Sequence, residues 1–259
     1  MPLTRTMEKL ILVTNDDGID APGIKFLISF LRPLGRIVVV APQTGMSGMG
    51  HAVTISTPLR IKQLASENGI DKYKTNGTPA DCVKLALNQI LDKKPDLIVS
   101  GINHGSNHSI NILYSGTMAA AIEGAMQNIP AIGFSMFNYD TKLDFSFAGT
   151  YIKQICQNTL ESGLPAGTCL NVNFPDNSSP KGIKICRQSI GFWDEGFEKR
   201  IDLHQKPYYW LKGEFIVPDQ SSNTDDYALK NGYISIVPVT IDLTAHQNIE
   251  SLKKTYNDI

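Results

Sequence analysis

Long apolar runs are missing from this 259-residue chain. None approaches the roughly 20 consecutive apolar residues that a bilayer-crossing helix needs, so no contact with a membrane is expected. The first residues also lack a basic segment followed by an apolar signal core, and the N-terminus reads as unprocessed. An excess of either charge is missing too. Lys and Arg number 24 against 25 Asp and Glu, which leaves no electrostatic footprint for duplex nucleic acid. Cysteine is scarce: Cys82, Cys156, Cys169 and Cys186 are scattered, form no C-x-x-C pair and sit in apolar contexts. Buried reduced thiols are the reading that follows. Together these features predict a cytoplasmic protein. There is no internal repeat and no low-complexity tract. Neither the G-x-x-x-x-G-K-[ST] phosphate loop nor a G-x-G-x-x-G after the first strand is present, so a dinucleotide-binding fingerprint is excluded.

What is present begins with Leu10-Ile11-Leu12-Val13-Thr14-Asn15-Asp16-Asp17-Gly18. The apolar run is short and ends in turn residues, the pattern of a strand buried on both faces. Two adjacent carboxylates follow where that strand would leave a sheet. Like charges so close repel, and a cation beside them is the economical remedy; a turn that caps the next helix is the alternative. Pro22, Ile24, Leu27, Ile28 and Leu31 then mark a helix, and Ile37-Val38-Val39-Val40-Ala41-Pro42 a second buried strand. Strand, helix, strand is the unit of a parallel sheet.

A glycine-rich loop, Gln43 to Gly50, follows. Its Ser47 reads as a nucleophile, a metal ligand or a plain turn serine. His51 to Ile61 alternates loosely and predicts an antiparallel pair or edge. Thr78 and Asp81 form a capping box, with Pro79 at the first position of a helix running to about Leu91. Its N-terminus faces an anion or is simply capped; the segment alone leaves both open. Pro95 to Ser100 is a third parallel strand and leads into Gly101-Ile102-Asn103-His104-Gly105-Ser106-Asn107. Tyr114-Ser115-Gly116-Thr117 opens an alanine-rich helix to Met126, whose free N–H groups make an anion site. Ala131–Met136 and Cys169–Phe174 read as strands, with a helix from Phe147 to Leu160 between them. From about Ser189 the texture changes. Tyr208 to Val217 predicts a hairpin turning at Lys212-Gly213, its aromatic face packed on a partner subunit or on the same chain. Asn223 to Tyr227 reads as a polar turn, Tyr233 to Val239 as a last strand, and Thr244 with Gln247 as the capping box of a C-terminal helix.

In an open parallel sheet, loops at the carboxyl ends of strands meet where strand order reverses. Asp16, Asp17, Ser47 and Asn103 all sit at such ends and offer only oxygen donors. Hard donors select a hard ion such as Mg²⁺, Mn²⁺ or Ca²⁺. With anion sites near Thr78 and Ser115, this points to phosphate-ester chemistry on a bound ion.

The ordered motifs resemble the SurE family of survival-protein nucleotidases over nearly the whole chain. They are Leu12 to Ile19 with Pro22-Gly23, Ala41-Pro42 with Ser47-Gly48, Gly77 to Val83, Ser100 to Asn103 with Gly105 and Asn107, Tyr114 to Thr117 with Ala119 to Ala121 and Glu123-Gly124. Asn171-Val172-Asn173, Thr224-Asp225, Ala228-Leu229, Gly232-Tyr233 and Asp242 to His246 complete the set. The resemblance implies a metal-dependent phosphatase, a 5′-nucleotidase acting on nucleoside 5′- and 3′-monophosphates and in some members on short polyphosphate. It implies one divalent ion per subunit, Mg²⁺ or Mn²⁺, held at Asp16, Asp17, Ser47 and Asn103. Asn76, Thr78, Asn107, Ser115, Gly116 and Thr117 would surround the phosphate. The implied fold is α/β, a Rossmann-like three-layer core over residues 1–188, with a hairpin arm, returning strand and C-terminal helix over 189–259. A homodimer or homotetramer exchanging C-terminal segments is implied as well.

This chain departs from the family where Gln43-Thr44-Gly45-Met46 lacks the usual Asp and Arg before the serine, and where Asn107-His108-Ser109-Ile110-Asn111 replaces the common sequence. Those departures bear on substrate preference. Asp16 and Asp17 are the candidates to orient an attacking water. His104 and His108 are candidates to touch substrate or protonate the leaving alcohol, against the alternative of loop histidines in solvent. A covalent aspartyl-phosphate mechanism is the rival within enzymes, although Asp16-Asp17-Gly18 is not the Asp-x-Asp that it uses. A metal-dependent nucleotide sensor without turnover is the rival outside them.

Overall fold

The computed structural model describes residues 8–137 and 145–256. Its strands are β1 (Leu10–Thr14), β2 (Arg36–Pro42), β3 (Ile61–Gln63), β4 (Asp71–Thr75), β5 (Leu97–His104), β6 (Ala131–Met136), β7 (Thr168–Phe174), β8 (Ile183–Ile185), the paired β9 (Phe192–Ile201) and β10 (Pro207–Ile216), and β11 (Ile234–Thr240). All but β9 and β10 form a central nine-stranded sheet in the order β3-β4-β2-β1-β5-β6-β7-β11-β8. From β4 to β7 all neighbours are parallel. β3 is antiparallel to β4, and β11 to β7. Chain order runs outward through β2 on one side of β1 and through β5 on the other, so strand order reverses at β1 and β5. In such sheets the ligand crevice opens there, beyond the carboxyl ends of the strands.

The apolar runs behave as double-sided strands. Ile11 and Val13 of β1 join Ile37, Val39 and Ala41 of β2 in one core, while Leu10, Leu12, Val38 and Val40 face another. Helices α1 (Pro22–Leu31) and α4 (Gly149–Ser162) cover the first; α2 (Pro79–Leu85) and α3 (Gly116–Met126) cover the second. The alanines of α3 serve close packing: a Cβ on Gly124 would lie 2.7 Å from that of Ala131.

Several local expectations are corrected. Residues 51–60 form no strand. Their backbone is claimed instead by the α2 cap, where Thr54 N–H donates to the Asp81 carboxylate and the Thr78 hydroxyl donates to the Ala52 carbonyl. The capping box itself forms as expected, but the helix turns π-helical over Ala86–Ile90. β4 and β8 had not been expected; their short sequences are too polar or too brief to show the apolar pattern. The hairpin consists of β9 (Phe192–Ile201) and β10 (Pro207–Ile216), and it turns at 202–206, not at Lys212-Gly213. There the Asp202 side chain accepts from the His204 and Lys206 amides, a local turn that outcompetes Lys-Gly. Asn223 to Tyr227 is no mere turn, because Thr224 caps helix α5 (Asp225–Lys230). The last helix, α6 (Ile249–Tyr256), starts after a 3₁₀ turn, and the Asp242 carboxylate has claimed Thr244 N–H. No helix among the described residues is long and apolar enough to cross a membrane.

The register between β5 and β6 slips between Ser100 and Asn103, which brings Asn103 and His104 out at the sheet rim. Gly101 takes φ +125° there, and a Cβ would meet the Phe134 carbonyl oxygen at 2.3 Å. Gly101→Ala is therefore expected to lower unfolding stability by at least about 2 kcal/mol in urea titration, and a loss under about 0.5 kcal/mol would contradict this placement.

Candidate active site

The turn after β1 is set by a side chain. Asn15 is buried and its Nδ2 donates to the Gly18 carbonyl at 2.8 Å. Asp16 is thereby turned inward and is 3% exposed. It meets the first turn of α3, where Thr117 Oγ1 donates to Asp16 Oδ1 at 2.6 Å. The approach needs Gly116, since a Cβ there would lie 2.8 Å from that of Asp16. Ser115 caps the helix, accepting from Met118 N–H at 3.0 Å. The loop bearing Ser47 is tied to the same place by Met46 N–H, which donates to the Asp16 carbonyl at 2.7 Å. Asn103 arrives from β5 with its Nδ2 donating to the Gly105 carbonyl at 2.7 Å, so its Oδ1 is the end left to face outward.

These elements surround a cavity of about 1120 Å³. Asp16, Ser47, Asn103, His104, Asn107 and Ser115 line it on the sheet side, and Trp193, Glu195, Leu211 and Gly213 of the hairpin on the other. Asp17 is not among the lining residues; it is half-buried, with Oδ2 3.4 Å from Nδ1 of His104, which is.

Burial, with a smaller push from the neighbouring Asp17 charge, raises the Asp16 carboxyl to about 6 against the downward pull of the Thr117 hydroxyl. A cation would offset both unfavourable contributions. Among the described residues no cluster of three or more His, Cys, Asp and Glu side chains is assembled for a metal. The available donors are two carboxylates, a hydroxyl and an amide oxygen, which suit a hard divalent ion and leave positions for water or a substrate oxygen. The first turn of α3 already receives one anion, the Asp16 carboxylate, and its cap Ser115 lines the cavity beside it.

Other expected site residues lie elsewhere. Asn76 is exposed outside the cavity wall, its Oδ1 accepting from Arg60 N–H at 2.7 Å. Thr78 spends its hydroxyl on the Ala52 carbonyl and the Asp81 amide. Both hold the 52–60 segment. Asn107 reaches the cavity but is fixed from behind, with Nδ2 donating to Ser135 Oγ and the backbone N–H to Asn173 Oδ1, each at 2.7 Å. His104 lines the cavity, with its ring edge-on to Phe145. His108 is not in solvent, and it does not line the cavity. It is buried, bonded to Ser106 Oγ at 2.7 Å and packed on Phe137 and Phe215, 3.5 Å from Asp226.

Reasoning from sequence passed over the supports behind this wall. Asn171 Nδ2 donates to the Asn107 carbonyl, and Asn173 Nδ2 to Asn171 Oδ1. Asp225 accepts from the Ser109 and Ser189 amides. One signal was available: Asn171 and Asn173 alternate on one face of a strand otherwise apolar enough to be buried. Trp193, whose indole N–H donates to Asn111 Oδ1 at 2.8 Å, gave no such signal.

Known proteins resemble this chain over most of its length. The family described as "Survival protein SurE" matches residues 11–195. A protein of Flavobacterium psychrophilum named 5′-nucleotidase SurE is 54% identical over 246 residues, covering 94% of this chain and 96% of that protein. One of the same name from Bacteroides thetaiotaomicron is 50% identical over 244 residues, covering 94% of each. The crystal structure of a SurE protein from Aquifex aeolicus superposes with a TM-score of 0.81 at 40% identity, covering 95% of this chain and 99% of that one.

A testable consequence concerns the metal-free protein. The unfolded chain releases the Asp16 proton near 3.8 and the folded chain holds it to about 6, so stability falls as pH rises through that window. Asp16→Asn removes the penalty. In the presence of chelator it should be more stable than wild type by up to about 3 kcal/mol at pH 7.5, with the gain shrinking towards pH 4. Paired denaturant titrations at the two pH values check this; a destabilised variant at pH 7.5 would show that the carboxylate is not penalised.

Proposed function

The chain belongs to the SurE survival-protein family, and from that membership we propose a nucleotidase that needs one divalent ion per subunit, Mg²⁺ or Mn²⁺, to hydrolyse nucleoside 5′- and 3′-monophosphates. The observation that carries this reading is the convergence of Asp16, Ser47 and Asn103 with the N-terminus of α3 on one cavity at the strand-order switch. The names of its relatives supply the reaction class.

In this reading Asp16, Asp17, Ser47 and Asn103 hold the ion. A bound divalent ion supplies Lewis-acid polarisation of a phosphoryl oxygen and lowers the pKa of water. The chain's own residues do the rest. Asp16 and Asp17 orient the attacking water. The Gly116 amide, with Ser115 and Asn107, holds the phosphate oxygens, while Thr117 acts through Asp16, whose carboxylate accepts from its hydroxyl and its amide. The leaving nucleoside lies towards Trp193 and Leu211, the apolar part of the hairpin wall. Four buried unpaired cysteines support a reducing, cytoplasmic setting. Exposed Phe197, Tyr209, Trp210 and Leu211 on the hairpin support assembly into a homodimer or homotetramer.

The test is phosphate release from AMP, 3′-AMP and short polyphosphate, with Mg²⁺ or Mn²⁺ and with chelator. Asp16→Asn and Asn103→Ala should each lower kcat/KM for AMP at least about a hundredfold, and chelator should abolish turnover. Nucleotide binding with no phosphate release under any divalent ion would sink the hydrolase reading and leave a sensor.

A further inference from the structure

Between Pro42 and Ile61 no helix or strand forms, yet Ser47 must be held near Asp16. The stretch around Ser47 is loose by composition: Gly45, Gly48 and Gly50 flank it, the last two with positive φ. Two backbone bonds anchor it, from Met46 N–H to the Asp16 carbonyl and from Gly50 N–H to the Tyr114 carbonyl. One side chain does too. His51 Nε2 lies 2.7 Å from Glu123 Oε1. Glu123 belongs to α3 and its side chain is 3% exposed, on a helix otherwise lined with alanine. Its other oxygen accepts from Lys84 Nζ of α2 at 2.8 Å. Burial raises the Glu123 carboxyl, but the His51 and Lys84 hydrogen bonds more than offset this and hold it below the usual range. A buried carboxylate is tolerated only when paired in this way. Glu123 also lies two turns along α3 from Gly116 and on the same side of the helix, so it is rigidly joined to the turn that receives Asp16.

We propose that His51 is a positioning residue: its bond to Glu123 clamps the Ser47 loop to α3 and so sets Ser47 in register with Asp16 and Asn103. The link to metal affinity rests on the metal reading given under Proposed function; the clamp on the loop does not. Lys84 satisfies the same carboxylate from α2 without touching the loop, and this separates positioning from plain stability.

The full-length wild type, His51→Ala, His51→Gln and Lys84→Met are compared by titration calorimetry with Mn²⁺ alone and by hydrogen exchange over residues 44–50. His51→Ala should weaken Mn²⁺ binding about tenfold and speed exchange in that loop. His51→Gln, which keeps an N–H donor aimed at Glu123, should recover most of both. Lys84→Met should lower Tm yet leave Mn²⁺ affinity and loop exchange as in wild type. The clamp is refuted if His51→Ala leaves loop exchange unchanged, or if Lys84→Met alters the loop equally. Should His51→Ala fail to fold, His51→Ser takes its place under the same criteria. A wild type that binds no Mn²⁺ would overturn the metal reading, and loop exchange would still decide the clamp.

Discussion

Asp16 is buried next to a second carboxylate in sequence, and it faces the first turn of α3. Left ionised and unaccompanied, it costs stability; this is why its carboxyl is raised to about 6. The surrounding chain is arranged to tolerate that cost. Asn15 fixes the turn, Gly116 gives the helix room to approach, and Thr117 donates to the carboxylate. Each of these residues follows from placing one charged oxygen pair out of water at a helix N-terminus. A positive charge placed at the mouth of the parallel sheet would relieve that penalty.

The same logic extends behind the site. Asn107 stands on the cavity wall only because Ser135, Asn171 and Asn173 hold it from the sheet. Asp225, from the segment after the hairpin, holds the next turn through Ser109 and Ser189. Buried polar groups are costly unless satisfied, so such a network is rigid once formed. It also explains why β11 returns to the sheet: the strand brings α5 and its aspartates back against the loop that follows β5. The late part of the chain is therefore structural support for the early part, not merely an appendage to it.

How much of this the sequence displays depends on the range of the interaction. β1, β2 and β6 are legible because each buries both faces, and a run such as Ile37 to Ala41 shows this without context. Asp16, Ser47 and Asn103 are legible because parallel topology delivers strand ends to one place. Asn76 and Thr78 look equally suitable on paper, but their polar atoms are taken by the 52–60 segment, a contact that no local pattern encodes. The hairpin turn is hidden because Lys212-Gly213 has turn chemistry, while the pairing of Trp193 with Phe215 and Glu195 with Gly213 commits those residues to strands. The burial of His108 is illegible for a similar reason: its partners Asp226 and Phe215 are more than a hundred residues away.

The cavity has two unlike walls, and this bears on the chemistry it can serve. Its sheet side is fixed by strand ends, a helix cap and a satisfied polar network. Its hairpin side is a two-stranded ribbon tethered near the base by Trp193, Phe215 and their contacts with Asn111 and His108. Two-stranded ribbons gain little stability of their own. The end that would hold a phosphate is therefore the preorganised one, where displacement of reacting atoms is most costly. The end that would hold the leaving group is bounded by the more adaptable element. On the nucleotidase reading, strictness is concentrated at the phosphorus atom and tolerance at the nucleoside, which is the division of labour expected of an enzyme that recognises one reaction across several leaving groups.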